Sequence, residues 1–344
     1  MKKYINDLLL EELEEYLESI NEKKFRAKQI FKWVHLVGVS EYDEMTDISK
    51  ELRQKLSEEF EICKLNIIDK QVSVDGTIKY LFELRDKNTI ETVVMKYNYG
   101  NSICISTQIG CKMGCNFCAS AKIGFIRDLT NGEIEAQILT AMKDTGERIS
   151  NVVYMGIGEP FDNYDNVLKS IKLINHHLGI NIGGRHISIS TSGLVPKILE
   201  FANENLQSTL SISLHAPNDE IRSGMMPVNN RYNITQLINA CKEYIKITNR
   251  RITFEYAMVN GVNDSLDNAK ELTKLLKGML CHVNLIPVNK IKDGVYEKAS
   301  NKNILKFRDY LNRNGITATV RRELGSDIQA ACGQLRRNRL EENK

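Results

Sequence analysis

The stretch CISTQIGCKMGCNFC, residues 104–118, carries three cysteines spaced C-x-x-x-C-x-x-C directly after a predicted β-strand. Gly110 and Gly114 precede the first two of them and allow the tight backbone that brings nearby thiolates together. Thiolates are soft ligands, so this spacing indicates either a zinc ion or an iron–sulfur cluster. The three cysteines are Cys111, Cys115 and Cys118.

The number of thiols bears on which centre they would hold. A structural zinc site is usually closed by four ligands, whereas three thiolates on a four-iron cluster leave one iron open to another ligand. Cys104 would complete a zinc site, although its position inside the predicted strand argues against that arrangement. On spacing alone, both kinds of centre remain open.

From residue 101 onward, predicted strands alternate with predicted helices. This repetition implies right-handed crossovers and a parallel sheet, with functional residues at the carboxyl ends of the strands. Six or seven units are too few for an eight-fold barrel, so we expect an α/β fold with an incomplete TIM-like barrel; a doubly wound open sheet is the alternative. Strands are predicted at 102–108, 151–156, 186–190, 209–214, 252–258, 281–287 and 316–321. Helices are predicted at about 131–144, 164–177, 195–204, 233–247, 265–277 and 301–313.

The regions outside this barrel follow other patterns. Residues 1–60 repeat apolar side chains at helical spacing and predict an N-terminal helical accessory domain. Residues 61–100 predict a short β extension, because the run QVSVDGTIKYLFEL has Asp75-Gly76 between two alternating segments, which is a strong hairpin signal. The barrel is expected over 101–321, and a tail over 322–344.

The composition excludes several classes of protein. The 344 residues include 47 basic and 44 acidic side chains, 42% are hydrophobic, and the formal net charge is +3. The apolar fraction is too high for a disordered chain, and no apolar run approaches the roughly 20 residues of a membrane span. We expect a cytoplasmic protein whose eight cysteines stay reduced and serve a metal, catalysis or packing. Three cysteines without a motif predict core positions: Cys63, Cys241 and Cys281.

The cysteine loop, with the aromatic Phe117 beside its last cysteine, resembles the signature of the radical S-adenosylmethionine (SAM) superfamily. The resemblance implies a partial TIM-like radical SAM barrel and a [4Fe–4S] cluster whose open iron binds SAM. It also assigns the three cluster ligands to Cys111, Cys115 and Cys118.

Several strand ends agree with a SAM site. Gly158 and Glu159, in the segment MGIGEP, resemble the family motif that holds the amino group of SAM. Three further strand ends supply small or polar groups that are suited to the ribose hydroxyls and the adenine edge, although each strand end taken singly predicts an ordinary turn. These candidate SAM-binding residues are Ser190, Ser213, Leu214, His215 and Asn289.

A narrower resemblance covers nearly the whole chain, from the N-terminal helices to the tail segment DIQAACGQL. It is to the radical SAM enzymes that methylate adenine carbons in RNA. The segments GEPFDN and RRELGSDIQAACGQLRR favour the branch that methylates carbon 2 of an adenosine in 23S rRNA, at the peptidyl transferase centre, and of the adenosine 3′ to the anticodon in tRNA. Methylation of carbon 8 by a related enzyme is the alternative.

This resemblance implies a reaction that uses two SAM molecules per turnover. Cys332 takes a methyl group from the first SAM, and a radical formed from the second removes hydrogen from that S-methyl group, so that its carbon adds to adenine. Cys104 then attacks the Cys332 sulfur, which forms a disulfide and releases the methylated RNA. Glu91 is the implied acceptor of the carbon 2 proton. Taken alone, Glu91 predicts a surface strand glutamate and Cys332 a small buried thiol.

The implied partners are 23S rRNA, tRNA, an external flavodoxin-like electron donor and a thiol reductant, with no membrane. Because a near-neutral chain is poorly suited to phosphate binding, we expect the N-terminal domain and local basic patches to contact RNA. The patches are Lys23 to Lys28, Lys122 with Arg127, Arg250 with Arg251, Arg321 with Arg322, and Arg336 to Arg339. An alternative of a different class is a non-catalytic RNA-binding protein with a zinc loop.

Overall fold

The structure, a computed structural model, describes residues 2–122, 124–289, 295–330 and 334. Its strands are β1 Lys3–Tyr4, β2 Phe60–Glu61, β3 Asn66–Val72, β4 Ile78–Glu83, β5 Thr89–Tyr97, β6 Gly100–Cys104, β7 Gln108–Ile109, β8 Arg127–Asp128, β9 Ile149–Tyr154, β10 Ile187–Thr191, β11 Thr209–Ser213, β12 Ile252–Met258, β13 Cys281–Pro287 and β14 Ala318–Val320. Its α-helices are α1 Leu10–Ser19, α2 Phe25–Lys32, α3 Lys50–Glu59, α4 Ala119–Lys122, α5 Asn131–Thr145, α6 Tyr164–Asn175, α7 Val195–Phe201, α8 Asp219–Met225, α9 Ile234–Thr248, α10 Leu266–Leu276 and α11 Asn301–Arg313.

The main sheet follows the order of the chain. Its described strands run β3-β4-β5-β6-β9-β10-β11-β12-β13-β14, and every neighbouring pair from β6 onward is parallel. A doubly wound sheet reverses its strand order at a switch point, and this sheet does not. The predicted incomplete barrel is therefore confirmed, and the doubly wound alternative is wrong.

Strand β12 illustrates how side-chain alternation divides the sheet into two faces. Phe254 and Tyr256 are fully buried in the core between sheet and helices, where the Tyr256 ring lies 5.2 Å from the Phe307 ring of α11. Glu255 and Ala257 point the other way and line a cavity. The helices thus cover the apolar face of each strand, and the polar face is kept for the site.

The predicted helices of the barrel are all present, and their observed ends lie within about three residues of the predicted ones. Helix α8 was not predicted, because its seven residues are too few to display a helical repeat. Asn218 caps it by accepting a hydrogen bond from the Ile221 N–H at 3.1 Å. Strand β6 ends at Cys104, earlier than predicted, so the cysteine loop begins closer to this residue.

The N-terminal helices have a core of their own. Leu13, Leu17 and Phe31 belong to a cluster that α1, α2 and α3 share, and that cluster also contacts Leu173 of α6. A second contact joins this region to the barrel, where Nδ1 of the buried His35 lies 2.5 Å from Oε2 of the buried Glu135.

The predicted β extension joins the barrel through hydrogen bonds between strands. Strands β3, β4 and β5 pair antiparallel with one another, and β5 pairs antiparallel with β6, so they continue the same sheet. The predicted hairpin at Asp75-Gly76 is confirmed. We name residues 73–77 the hairpin turn. Among the described helices, none combines the length and hydropathy that a membrane span needs.

Arg222 of α8 joins the ends of two barrel strands. Its side chain is fully buried, and its guanidinium donates to the carbonyl oxygens of Ser192 (2.6 Å), Ser213 (3.1 Å) and Leu214 (3.2 Å). A fourth bond goes to Oδ1 of Asn229 at 2.9 Å. One side chain therefore satisfies three carbonyl groups at the point where β10 and β11 end.

We predict that Arg222→Met lowers the thermal stability of the protein. The substitution leaves buried acceptors without donors, and because each such group costs about 1–3 kcal/mol, we expect a total loss of at least about 3 kcal/mol. Thermal unfolding followed by circular dichroism should then show a melting temperature lower by at least about 4 °C. The exposed Arg231 offers the matched control Arg231→Met; equal melting temperatures for the two variants would contradict the prediction.

Candidate functional site

A cavity opens at the carboxyl ends of the parallel strands, where function was expected. Most of the predicted site residues line it. They are Cys111, Cys115, Cys118, Gly158, Glu159, Ser190, Ser213, His215 and Asn289.

The three thiols lie together on one wall of this cavity. Their loop is held against α8, because Asn116 donates from its backbone to the Met225 carbonyl (3.0 Å) and from its side chain to the Gly224 carbonyl (2.6 Å). Burial, with a smaller contribution from neighbouring Glu159 and Cys118, raises the pKa of Cys111 to about 12. Burial and the same neighbouring thiols also raise the pKa of Cys115. A positive centre would therefore favour the thiolate forms of this set.

Cys104 does not join the three thiols. Its side chain packs in a separate apolar cluster with Val93 and Met95 of β5. Among the described residues, no group of three or more His, Cys, Asp or Glu side chains is arranged to hold a metal ion. A closed zinc site including Cys104 is thus not formed. A four-iron cluster fits the three-thiol wall better, because its thiolates bind separate irons and need not meet at one point.

The segment after β9 brings a glycine and a carboxylate to the cavity. Gly158 has a φ of +109°, and a Cβ there would lie 2.7 Å from the Cβ of Gln108, so only glycine fits. The Glu159 carboxylate is buried and accepts from the N–H groups of Ser192 (2.7 Å) and Phe161 (3.0 Å). Burial raises its pKa, which those hydrogen bonds oppose.

His215 is held as a neutral ring at the end of β11. Its Nδ1 accepts a hydrogen bond from the Ala257 N–H at 2.9 Å, so the proton of the neutral ring lies on Nε2. Burial lowers the pKa of His215 to about 3, and the cation of Arg222 contributes. The ring meets Phe117 edge to face at 4.8 Å, which joins it to the cysteine loop. The residue therefore offers a hydrogen-bond donor without a charge.

The remaining predicted SAM-binding residues divide into two groups. Ser190, Ser213 and Asn289 stand at the ends of three strands and line the cavity. Leu214 does not, because its side chain is fully buried in the core between sheet and helices. Its backbone N–H is also taken, since it donates to the Glu255 carbonyl at 3.1 Å.

Two charged residues of the cavity were missed by the sequence analysis. Glu255 is buried and accepts a hydrogen bond from Asn284 at 2.8 Å; burial raises its pKa, and the cation of Arg321 lowers it. Arg321 lines the same cavity but was assigned only to a basic patch. The signal for Glu255 was a lone carboxylate in the otherwise uncharged strand ITFEYAM.

The cluster that holds Cys104 connects the cavity to the tail. Met155 both lines the cavity and packs against this cluster, and Ala330 is buried in it. Ala330 stands two residues before the predicted reactive Cys332, which itself lies outside the residues that the structure describes.

Glu91 is buried, so its interpretation as a surface glutamate is wrong. Only 2% of the residue is exposed, and its Oε1 lies 3.7 Å from Nζ of Lys79, which is also buried. Its backbone carbonyl accepts a hydrogen bond from the Ser106 hydroxyl at 2.7 Å. Glu91 shares a strand face with Val93, but it does not line the cavity.

One predicted phosphate contact is corrected. Arg127 is not available for RNA, because it forms ion pairs with Asp86 and Glu133, both at 2.7 Å.

The three cysteines without a motif are core residues, as predicted. Two of these thiols are buried, and the third packs against the core at the start of β13. They are Cys63, Cys241 and Cys281.

Two family models match the chain. The first is described as "Ribosomal RNA large subunit methyltransferase N-terminal domain" and matches residues 5–62. The second, "Radical SAM superfamily", matches residues 105–273 and so includes the cysteine loop and most of the cavity. Membership in this superfamily implies a [4Fe–4S] cluster and SAM as cofactors.

Similar proteins cover the chain from end to end. A "Probable dual-specificity RNA methyltransferase RlmN" from Clostridium novyi (strain NT) is 57% identical over 100% of both chains. A protein of the same name from Caldanaerobacter subterraneus subsp. tengcongensis is 55% identical over 98% of this chain and 99% of its own. The crystal structure of a radical SAM methyltransferase from Sphaerobacter thermophilus superposes with a TM-score of 0.93, at 45% identity over 97% of this chain and 99% of that one.

These similarities settle the choice between enzyme and binding module. The alternative of a non-catalytic zinc-loop protein is wrong, because the full-length relatives are methyltransferases and the fold is that of a radical SAM enzyme. The chain belongs to the RlmN family of dual-specificity RNA methyltransferases, within the radical SAM superfamily.

Proposed function

We propose that this enzyme methylates carbon 2 of an adenosine in 23S rRNA, at the peptidyl transferase centre, and of the adenosine 3′ to the anticodon in tRNA. The observation that carries the proposal is the cluster of Cys104, Met155 and Ala330, which connects a candidate resolving thiol, the three-thiol cavity and the tail. Cys332 follows Ala330 by two residues in the sequence, and two residues of extended chain span about 7 Å at most.

Cys332 is the proposed carrier of the methyl carbon. Its thiolate displaces the methyl group of one SAM, which leaves S-adenosylhomocysteine and an S-methylcysteine. Once a hydrogen atom has been removed from that methyl group, its carbon bonds to carbon 2 of adenine and joins enzyme to RNA. The adduct must then lose the carbon 2 proton and one electron, which the cluster, when bound, would take back. The proposed role requires a tail that reaches the cavity from the side of β5 and β6, where Leu324 and Ala330 are buried.

Cys104 is the proposed resolving thiol. Its thiolate attacks the Cys332 sulfur, the bond between that sulfur and the methylene carbon breaks, and the two cysteines form a disulfide. The electron pair of the broken bond stays with the carbon, which takes up a proton and becomes the new methyl group. An external thiol reductant must then return both cysteines to thiols. The separation of Cys104 from the three cavity thiols supports this role, because a thiolate bound to iron would not be available for the attack.

Glu91 is the proposed acceptor of the carbon 2 proton. It occupies the same strand face as Val93, which belongs to the cluster of Cys104. Oε1 of Glu91 lies 3.7 Å from Nζ of the buried Lys79, so the carboxylate has a cationic side chain beside it.

The cavity residues are the proposed cofactor site. Cys111, Cys115 and Cys118 would hold the [4Fe–4S] cluster, which when bound, with an electron from a flavodoxin-like donor, generates the hydrogen-abstracting radical from a second SAM. The Gly158–Glu159 backbone would bind the amino group of SAM. Polar groups at the strand ends would orient its ribose and adenine; they belong to Ser190, Ser213, His215 and Asn289. Leu214 is not part of this proposal, because its side chain is buried in the core and its backbone N–H and carbonyl are bonded to Glu255 and Arg222.

The first prediction concerns the product. Reconstituted protein, incubated anaerobically with SAM, a reductant and unmodified 23S rRNA or tRNA, should produce 2-methyladenosine. Digestion of the RNA to nucleosides and mass spectrometry against synthetic standards measures the position of the new methyl group. A product of 8-methyladenosine alone would support the carbon 8 alternative, and the absence of any methyladenosine would contradict the proposed reaction.

The second prediction concerns the two reactive cysteines. Cys104→Ala should accumulate a covalent protein–RNA adduct, because no thiol remains to attack the Cys332 sulfur. Cys332→Ala should form no adduct and no product. Denaturing gels with labelled RNA detect the adduct, and Cys281→Ser, at a half-buried thiol outside the site, should turn over like the wild-type enzyme. Product formation by Cys104→Ala at the wild-type rate would exclude the resolving role.

The third prediction concerns the cluster ligands. Cys118→Ser should reduce the iron content of anaerobically purified protein well below the roughly four irons of an intact cluster, because an alcohol replaces a thiolate ligand. Iron analysis and visible absorption measure the loss. Cys281→Ser replaces a cysteine of similar partial burial and should retain the iron. If both variants bound iron equally, Cys118 would not be a ligand.

A further inference from the structure

The described part of the tail lies against the sheet close to Cys104. Leu324 and Ala330 are buried in the cluster that holds this thiol, and Ile328 packs against it. The chain then continues to Cys332, two residues after Ala330. The contacts of residues 324–330 therefore hold the segment from which the chain continues to Cys332.

Three hydrogen bonds join this segment to the hairpin turn between β3 and β4. The Asp327 carboxylate accepts from the Ser73 hydroxyl (Oγ to Oδ1, 2.6 Å) and from the Val74 N–H (N to Oδ2, 3.2 Å). In the other direction, Oδ2 of Asp75 accepts from the Gly325 N–H at 2.9 Å. Each segment thus presents a carboxylate to a backbone N–H of the other.

The hairpin turn has internal hydrogen bonds in addition to those with the tail. The Ser73 N–H donates to the Thr77 carbonyl at 2.8 Å, and the Thr77 N–H donates to Oδ1 of Asp75 at 2.9 Å. Although burial raises the pKa of Asp75, hydrogen bonds from Thr77 and Gly325 lower it to about 2. The turn therefore offers a charged, oriented acceptor at neutral pH.

The tail segment also fits the turn sterically. Gly325 has a φ of +63°, and a Cβ there would lie 2.8 Å from the Cβ of Ala330 and 2.9 Å from Cγ2 of Thr77. The Ala330 N–H donates back to the Gly325 carbonyl at 2.9 Å, so the segment closes into a tight loop. Gln329 lies in the left-handed region, with a φ of 51°, which a non-glycine residue adopts only where its surroundings hold it.

We propose that the hairpin turn is a clamp that positions the tail for the chemistry of Cys332, with Asp327 and Asp75 as positioning residues. The proposal rests on the proposed function, because it assigns to these contacts the orientation of the thiol that carries the methyl carbon. The contacts of Asp327 and Asp75 lie outside the proposed cofactor cavity. Loosening the clamp should therefore slow methylation without slowing the formation of the radical. Reactions of this kind are sensitive to position, and a displacement of about 1 Å can lower a rate 100-fold.

The test compares Asp327→Ala with Asp267→Ala in full-length, reconstituted enzyme. Asp267 is an exposed aspartate of α10, outside both the cavity and the hairpin turn, and it pairs with Lys270 at 2.8 Å. We expect Asp327→Ala to bind iron and SAM normally but to form methyladenosine at least about tenfold more slowly. The ratio of 5′-deoxyadenosine to methyladenosine should rise by a similar factor, and the S-methylated fraction of Cys332, measured by mass spectrometry, should fall.

Two further measurements separate a positioning role from general stability. Hydrogen–deuterium exchange of the peptide that covers residues 324–330 should accelerate in Asp327→Ala and not in Asp267→Ala. Asp327→Asn, which retains one acceptor oxygen, should recover part of the coupling between radical formation and methylation. The clamp would be overturned if the ratio of 5′-deoxyadenosine to methyladenosine equalled that of the wild type. It would also be overturned if the methylation rate fell only in proportion to a lower melting temperature and iron content.

The exchange measurement also distinguishes failure of the clamp from failure of the proposed function. One outcome is that exchange accelerates in Asp327→Ala while the wild-type enzyme forms neither S-methylcysteine nor 2-methyladenosine. In that case the contacts hold the tail, but the proposed reaction is wrong, and the catalytic role of the clamp is wrong with it. If the wild-type enzyme forms both and Asp327→Ala leaves exchange and coupling unchanged, the clamp alone is wrong.

Discussion

The active-site cavity depends on how the chain satisfies its backbone where the parallel strands end. A strand that leaves a sheet loses its ladder partners, and in a buried site water does not replace them. Ser192 shows the solution, because Glu159 accepts from its N–H at 2.7 Å and Arg222 donates to its carbonyl at 2.6 Å. Similarly, Nδ1 of His215 accepts a hydrogen bond from the Ala257 N–H of the next strand. The polar residues of the cavity therefore build its rim as well as face its interior.

This constraint explains why charged side chains are tolerated at such depth. Arg222 is fully buried, which would be costly for an isolated guanidinium, but its donors meet carbonyl oxygens that also need partners. Burial lowers the pKa of Arg222 to about 10, so it remains a cation at neutral pH. The strand ends, the short helix α8 and the cysteine loop are consequently joined in one network, with Asn116 bonding the loop to α8.

Much of the fold was predictable, since each parallel strand and its following helix carry a local apolar pattern. The cavity was predictable in part, because its cysteines and the Gly158–Glu159 segment form short motifs in sequence. What the sequence did not reveal depends on contacts between distant residues. The burial of Glu91 requires Lys79 on the neighbouring strand, and Arg127 is unavailable to RNA because of Asp86 and Glu133. No local pattern distinguishes such residues from solvated charges.

Cys104 shares the cavity-side face of the sheet but does not line the cavity. Its neighbours Ile103 and Ile105 belong to the core between sheet and helices, so its own side chain points to the opposite face. Met155 lines the cavity and also packs against the cluster of Cys104, so one apolar side chain contacts both places. The three loop thiols and the strand thiol therefore have different surroundings although one short segment of sequence contains them all. A cysteine at the end of β6, rather than in the loop that follows, packs next to Ala330 of the tail, and this is the arrangement that the proposed disulfide step needs.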